Sequence, residues 1–154
     1  MNNILKNYLS HSPEETLAIA QKFVLEQKEK IQQGLIVALK GELGLGKSLW
    51  AKAMIAKLVA LPEEEILSPT FTLVEEYTSL KGQKIFHVDL YRLEKASDLE
   101  VLDVENLFKK GNLCLVEWPE RAPSWRAYWD LEILFKKPKE GLREITIQSI
   151  EALT

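Results

Sequence analysis

Leu35-Ile36-Val37-Ala38-Leu39 is an unbroken apolar run, and Leu113 to Val116 is another. Short runs with no polar position predict strands covered on both faces, as in parallel sheets with helices above and below. After the first run the period changes. Ala51, Met54, Ile55, Leu58 and Val59 recur at helical spacing until Pro62 ends the segment, which predicts a helix with an apolar face. Upstream, Ser12-Pro13-Glu14-Glu15 carries a helix start. Ser12 can cap, Pro13 suits the first helical position, and Glu15 completes a capping box. Leu17, Ala20 and Val24 then share a face, the charged run from Glu26 to Lys30 predicts a solvated helix end, and Gly34 predicts a break.

Ser68-Pro69-Thr70 predicts a turn, Phe71 to Tyr77 an extended segment, Lys81-Gly82-Gln83-Lys84 a hairpin turn, and Ile85 to Asp89 the next strand. Ser97 is placed to cap a helix beginning near Asp98, and Lys110-Gly111-Asn112 is a break. Leu131, Ile133 and Phe135 alternate with other residues, as do Ile145, Ile147 and Ser149, which predicts antiparallel strands with one covered face. The class is α/β with a mixed sheet. No internal repeat, low-complexity tract or linker interrupts the chain, so residues 1–154 are expected to form one domain.

Composition narrows the function classes. The net charge is −3 over 154 residues, so there is no global electrostatic signature for nucleic acid or an anionic membrane. The one cysteine, Cys114, lies inside an apolar run. An intrachain disulfide is therefore excluded, and a buried thiol in a reducing compartment is the simpler reading. No stretch reaches the length of a membrane-spanning helix, and Met1 to Ser10 lacks the apolar core of a signal peptide. A cytoplasmic protein without a membrane partner is expected.

The chemistry begins at Gly41-Glu42-Leu43-Gly44-Leu45-Gly46-Lys47-Ser48, directly after the first apolar strand and before the helix that includes Leu49. This is the Walker A pattern. Glycines let successive backbone N–H groups point at phosphate oxygens, and the helix start adds its positive dipole end. Lys47 supplies a point charge for the β- and γ-phosphates, and Ser48 a hydroxyl for Mg²⁺. Such a site also needs an acid, often at the end of a buried strand. Glu117 and Asp89 both qualify, and spacing alone does not rank them. Thr70 lies between the loop and the acids, where composition alone favours a plain proline-containing turn. His87 reads as a strand residue facing solvent or a polar partner. Two histidines and one cysteine argue against a zinc site. Trp118, Trp125 and Trp129 read as packing residues, with nucleic-acid stacking the lesser reading.

Four ordered motifs together resemble one family. They are the glycine loop, Ser-Pro-Thr-Phe-Thr-Leu-Val-Glu-Glu-Tyr from Ser68, His-Val-Asp-Leu-Tyr-Arg-Leu from His87, and Leu-Val-Glu-Trp-Pro-Glu from Leu115. The chain resembles the TsaE (YjeE) family, bacterial P-loop ATPases of the tRNA threonylcarbamoyladenosine pathway, from Ser12 to Ser149. The resemblance implies a P-loop NTPase-like mixed sheet flanked by helices, with ATP and Mg²⁺ as ligands. It assigns Ser48 and Glu117 to the metal, Lys47 to the phosphates and Asp89, in or just outside the metal's shell, to turnover. It also assigns Thr70 to a switch-like loop, overturning the plain-turn reading. Ser12 and Arg143 lie where the family contacts the base, with Glu42 to Leu49 completing the nucleotide contacts. The implied partners are TsaB and TsaD, with tRNA met indirectly through their complex, which ATP hydrolysis would reset.

The chain departs from the family pattern in three places. Ser48 stands for the usual Thr, Asp103-Val104 stands where a Gly-hydrophobic pair is common, and Arg121 to Trp125 has no match. Two other functions remain open: a P-loop small-molecule kinase using Arg121 and Arg126 in a lid, and a nucleotide-gated binding module with little hydrolysis.

Overall fold

The computed structural model describes residues 3–69 and 72–150. Its strands are β1 (Asn3–Ser10), β2 (Leu35–Lys40), β3 (Val74–Thr78), β4 (Lys84–Asp89), β5 (Leu113–Glu117), β6 (Leu131–Lys139) and β7 (Leu142–Ser149). Its α-helices are α1 (Pro13–Glu26), α2 (Lys28–Gln33), α3 (Lys47–Val59) and α4 (Val104–Leu107). The strands form one sheet in the order β1-β7-β6-β2-β5-β4-β3. The central β6, β2, β5 and β4 are mutually parallel, whereas β1–β7, β6–β7 and β3–β4 pair antiparallel.

The two apolar runs, β2 and β5, lie side by side in the middle, with Val37 opposite Leu115. One face of the sheet presents Val37, Leu39, Ile85, Leu113, Leu115, Ile133, Phe135, Ile145 and Ile147 to α1 and α3. The other presents Ala38, Phe86, Val88, Cys114 and Val116 to α4 and the 3₁₀ turns around Leu99 and Trp125. Burial in this second core pushes the Cys114 thiol far above its ordinary range, so it acts as a small hydrophobe. Trp125 and Trp129 stack edge-on against Phe108 in the same core, as their packing reading requires.

Several local expectations change. Glu26 to Lys30 is largely solvated, as expected, but it is not a single helix end. Gln27 leaves helical geometry at φ −107°, and a second helix, α2, restarts at Lys28 and stops at Gly34. Ser12 caps α1 by accepting from the Glu15 N–H at 3.0 Å, but the Glu15 carboxylate turns to His11 at 3.4 Å, so the capping box is half formed. β3 begins at Val74 because Leu73 takes a left-handed φ of 65°, while Phe71 lies outside the described residues. The helix expected from Ser97 is a 3₁₀ segment, Ala96–Val101, where Asp98 Oδ2 accepts from the Lys95 N–H at 3.2 Å.

β6 and β7 do pair antiparallel, with Ile133 opposite Ile147, but β6 is also parallel to β2. Its second face is covered too: Glu132 is buried and accepts from Lys40 at 2.7 Å, Arg126 at 2.8 Å and Gln148 at 2.9 Å. Burial alone would raise that carboxyl. The three hydrogen bonds outweigh it and hold Glu132 below the usual range. No helix among the described residues is long and apolar enough to cross a membrane.

Candidate functional site

In open α/β sheets, ligands bind beyond the carboxyl ends of the strands, where neighbouring connections diverge. The candidate residues meet at that edge. β2 runs into the glycine loop, β4 ends at Asp89 and β5 ends at Glu117. Asp89 and Glu117 stand opposite each other in parallel register, so two neighbouring strands deliver both acids to one place. Alternation along each strand puts His87, Asp89 and Glu117 on the α3 side.

Two glycines make the loop's path. Gly46 holds φ +105° as it opens α3, a conformation that penalises any side chain with a Cβ. At Gly41 a Cβ would stand 2.8 Å from the Phe135 carbonyl oxygen, so β6 closes the loop's entry. Leu43 is exposed, whereas Leu45 is buried in the α1–α3 core. Leu45 thus anchors the loop and offers only its backbone to a ligand. The helix start leaves N–H groups and a partial positive charge at the loop.

Ser48 Oγ donates to Glu117 Oε1 at 2.8 Å. Glu117 Oε2 lies 2.6 Å from His87 Nε2. Lys47 Nζ donates to the Gly41 carbonyl and sits 3.5 Å from the centre of the Trp118 ring. Burial lowers the Lys47 ammonium below its ordinary pKa, while Glu117, Glu120 and Asp89 pull it back up. Asp89 is raised, chiefly by burial and further by Glu117, against the Tyr91 N–H that donates to it at 3.0 Å. Trp118 takes a left-handed φ of 58° between Glu117 and Pro119, which turns its ring back over Lys47 and against Tyr91, with ring centres 5.0 Å apart.

A cleft of about 490 Å³ is lined by Leu43, Gly44, Lys47, Ser48, Asp89 and Glu117, among others. A smaller hollow of about 180 Å³ shares Gly44, Gly46 and Leu49 with it and adds Ser12 and Arg143. The two sequence-distant candidates for the base side are therefore brought to the outer flank of the glycine loop, with β1 and β7 as the carriers. Glu42 is exposed.

Thr70 lies outside the described residues. Its neighbours are tied down: the Leu73 N–H donates to the Pro69 carbonyl at 2.8 Å, and the Asp89 N–H donates to the Leu73 carbonyl at 2.9 Å.

The donors suit a hard divalent cation shared with a nucleotide. A hydroxyl and two carboxylates supply only oxygen, and Mg²⁺ is usually held by one or two carboxylates together with phosphates and waters. Among the described residues no group of three or more His, Cys, Asp and Glu is arranged to hold a metal ion by itself, so the remaining ligands would come from the nucleotide and water.

Sequence reasoning missed two parts of this site. By sequence alone Trp118 is a packing residue, and His87 has no named partner. Arg121 and Arg126 are engaged elsewhere, donating to the Leu93 carbonyl at 3.0 Å and to Glu132.

Residues 10–145 match the family model described as "Threonylcarbamoyl adenosine biosynthesis protein TsaE". The chain is 32% identical to the tRNA threonylcarbamoyladenosine biosynthesis protein TsaE of Bacillus subtilis, over 90% of this chain and 82% of that one. It is 33% identical to that of Aquifex aeolicus, over 85% and 90% respectively. The crystal structure of Bacillus subtilis YdiB superposes with a TM-score of 0.72 at 26% identity, covering 98% of this chain and 88% of that one.

Proposed function

This chain belongs to the TsaE family of threonylcarbamoyladenosine biosynthesis, and from that premise we propose that it is a Mg²⁺-dependent ATPase subunit whose hydrolysis resets a TsaB–TsaD transferase complex acting on tRNA. The observation that carries the reading is the Ser48–Glu117 hydrogen bond, formed directly beneath a Walker A loop with Asp89 paired alongside. The protein is a single nucleotide-driven domain of the cytoplasm and meets tRNA through its partners.

Each group has work that its position supports. The N–H groups from Glu42 to Gly46 and the start of α3 receive phosphate oxygens. Lys47 leaves the Gly41 carbonyl for the β- and γ-phosphates, and its burial strengthens that charge contact. Ser12, Leu49 and Arg143 receive the base end in the adjoining hollow. Ser48, Glu117 and Asp89 would hold Mg²⁺, which when bound neutralises charge on the phosphates. Asp89 also orients the attacking water, and Thr70 senses the γ-phosphate.

A P-loop kinase would need an acceptor pocket and arginines free to close over it. Arg121 and Arg126 are held by Leu93 and Glu132, which favours water as the acceptor.

The test is ATP hydrolysis by the purified protein with TsaB and TsaD, alongside modified-tRNA levels in cells. Lys47→Ala is expected to lower hydrolysis by about a hundredfold or more and to deplete the modification. No hydrolysis with both partners present, and unchanged tRNA with Lys47→Ala, would remove the proposal. ADP release that requires a small-molecule acceptor would identify a kinase. ATP-dependent partner binding with release kinetics indifferent to Asp89→Ala would identify a gated binding module.

A further inference from the structure

His87 occupies the middle of β4 and is fully buried. Its Nε2 lies 2.6 Å from Glu117 Oε2, and its Nδ1 is a buried polar atom with no hydrogen-bond partner. A carboxylate oxygen only accepts, so the ring donates from Nε2 to Glu117. An orphaned buried nitrogen destabilises the fold. The neighbouring strand positions Ile85 and Leu115 are filled by apolar side chains without that cost. The contribution of the imidazole therefore lies in the carboxylate it holds.

We propose that His87 is a positioning residue that fixes the Glu117 carboxylate for the metal, an inference that rests on the metal role given to Glu117 above. The two carboxylate oxygens are divided. His87 takes Oε2 on the core side, which leaves Oε1 with Ser48 at the cleft. That division fixes the carboxylate plane and presents one oxygen, beside the Ser48 hydroxyl, to a shared cation. It also opposes a competing arrangement. Glu117 is the leading charge acting on the neighbouring Lys47 ammonium, and a carboxylate released from His87 is free to turn and pair with it. Such a pair would occupy both the phosphate-binding charge and the metal-binding oxygen. Partners that orient a metal ligand in this way typically change metal affinity by about 10- to 100-fold.

The experiment measures binding of a fluorescent ATP analogue to the full chain, in EDTA and across a Mg²⁺ titration. The proteins are wild type, His87→Leu, His87→Gln, His87→Asn, Glu117→Gln and the His87→Leu/Glu117→Gln double variant. Circular dichroism and urea unfolding check each fold. His87→Leu is expected to raise the half-saturating Mg²⁺ concentration at least about tenfold, with a smaller loss of analogue affinity in EDTA as Glu117 turns to Lys47. His87→Gln, whose amide nitrogen reaches the Nε2 position, restores most of the Mg²⁺ response, whereas the shorter His87→Asn does not. The double variant is no worse than Glu117→Gln alone.

A folded His87→Leu with a wild-type Mg²⁺ response, in a series where Glu117→Gln is impaired, overturns the positioning role and leaves the metal role of Glu117 standing. A wild-type response in Glu117→Gln overturns that metal role and the positioning with it. Should His87→Leu fail to fold, the Gln–Asn pair decides: equal responses overturn the proposal, and a response kept only by Gln supports it.

Discussion

Burial sets Lys47 and Asp89 against their own charges. It lowers the ammonium of one and raises the carboxyl of the other, which leaves both groups better satisfied by a phosphate or a cation than by the empty fold. For Asp89 the sign of the stability effect follows. A carboxyl whose folded pKa lies above its unfolded value of about 3.9 weakens the fold at neutral pH, and the penalty fades as pH falls below both values. Asp89→Asn is therefore expected to raise the urea midpoint of the nucleotide- and metal-free protein at pH 7 while abolishing turnover. The gain should shrink in acid, and a variant less stable than wild type at pH 7 would contradict this account. At this scale Lys47, Ser48, Asp89 and Glu117 were legible because each sits at a strand end or in a patterned loop. His87 and Trp118 were not. The partner of His87 comes from the neighbouring strand, and the Trp118 ring is aimed by a backbone conformation that costs of order 1–3 kcal/mol and leaves no trace in composition.

Elements that the hydrophobic period predicted are those with one simple environment. The stripe on α3 was visible, yet Trp50 and Ala53 are also fully buried, because α1 packs over the face that would otherwise meet water. β1 gave no clear alternation. Its residues are nearly all exposed at the sheet edge, and a bulge between Ile4 and Lys6 shifts its register. At α4 the structure explains a departure from the family pattern. Asp103, at φ −79°, needs no glycine, and its Oδ1 caps the helix by accepting from the Asn106 N–H at 3.2 Å. Asp103→Ala is expected to cost about 1 kcal/mol in urea unfolding, and Asp103→Gly only a few tenths. Nucleotide binding should stay unchanged in both, and equal large losses would show that the turn depends on something other than the cap.

For the whole molecule, the proposed nucleotide site draws on β1, β2, β4, β5 and β7 and would tie the ligand to most of the sheet. Ligand at about a hundredfold excess over its dissociation constant adds about 2.7 kcal/mol to the folded state. ATP with Mg²⁺ is therefore expected to raise the thermal midpoint of wild type and to leave that of Lys47→Ala close to its ligand-free value. An equal rise in both proteins would show that this lysine does not carry the binding. By itself the sequence determined the loop, the two buried strands, the helix after the loop and the two acids. These rest on short-range periods and on glycine and proline conformations that operate within a few residues. Only the tertiary structure decided which acid meets which group. Parallel pairing of β4 with β5 set Asp89 and His87 beside Glu117, β2 next to β5 brought Ser48 to it, and the β1–β7–β6–β2 order carried Ser12 and Arg143 to the flank of the loop. Those contacts join residues distant along the chain, and strand order and register, which no local pattern records, are what bring them together.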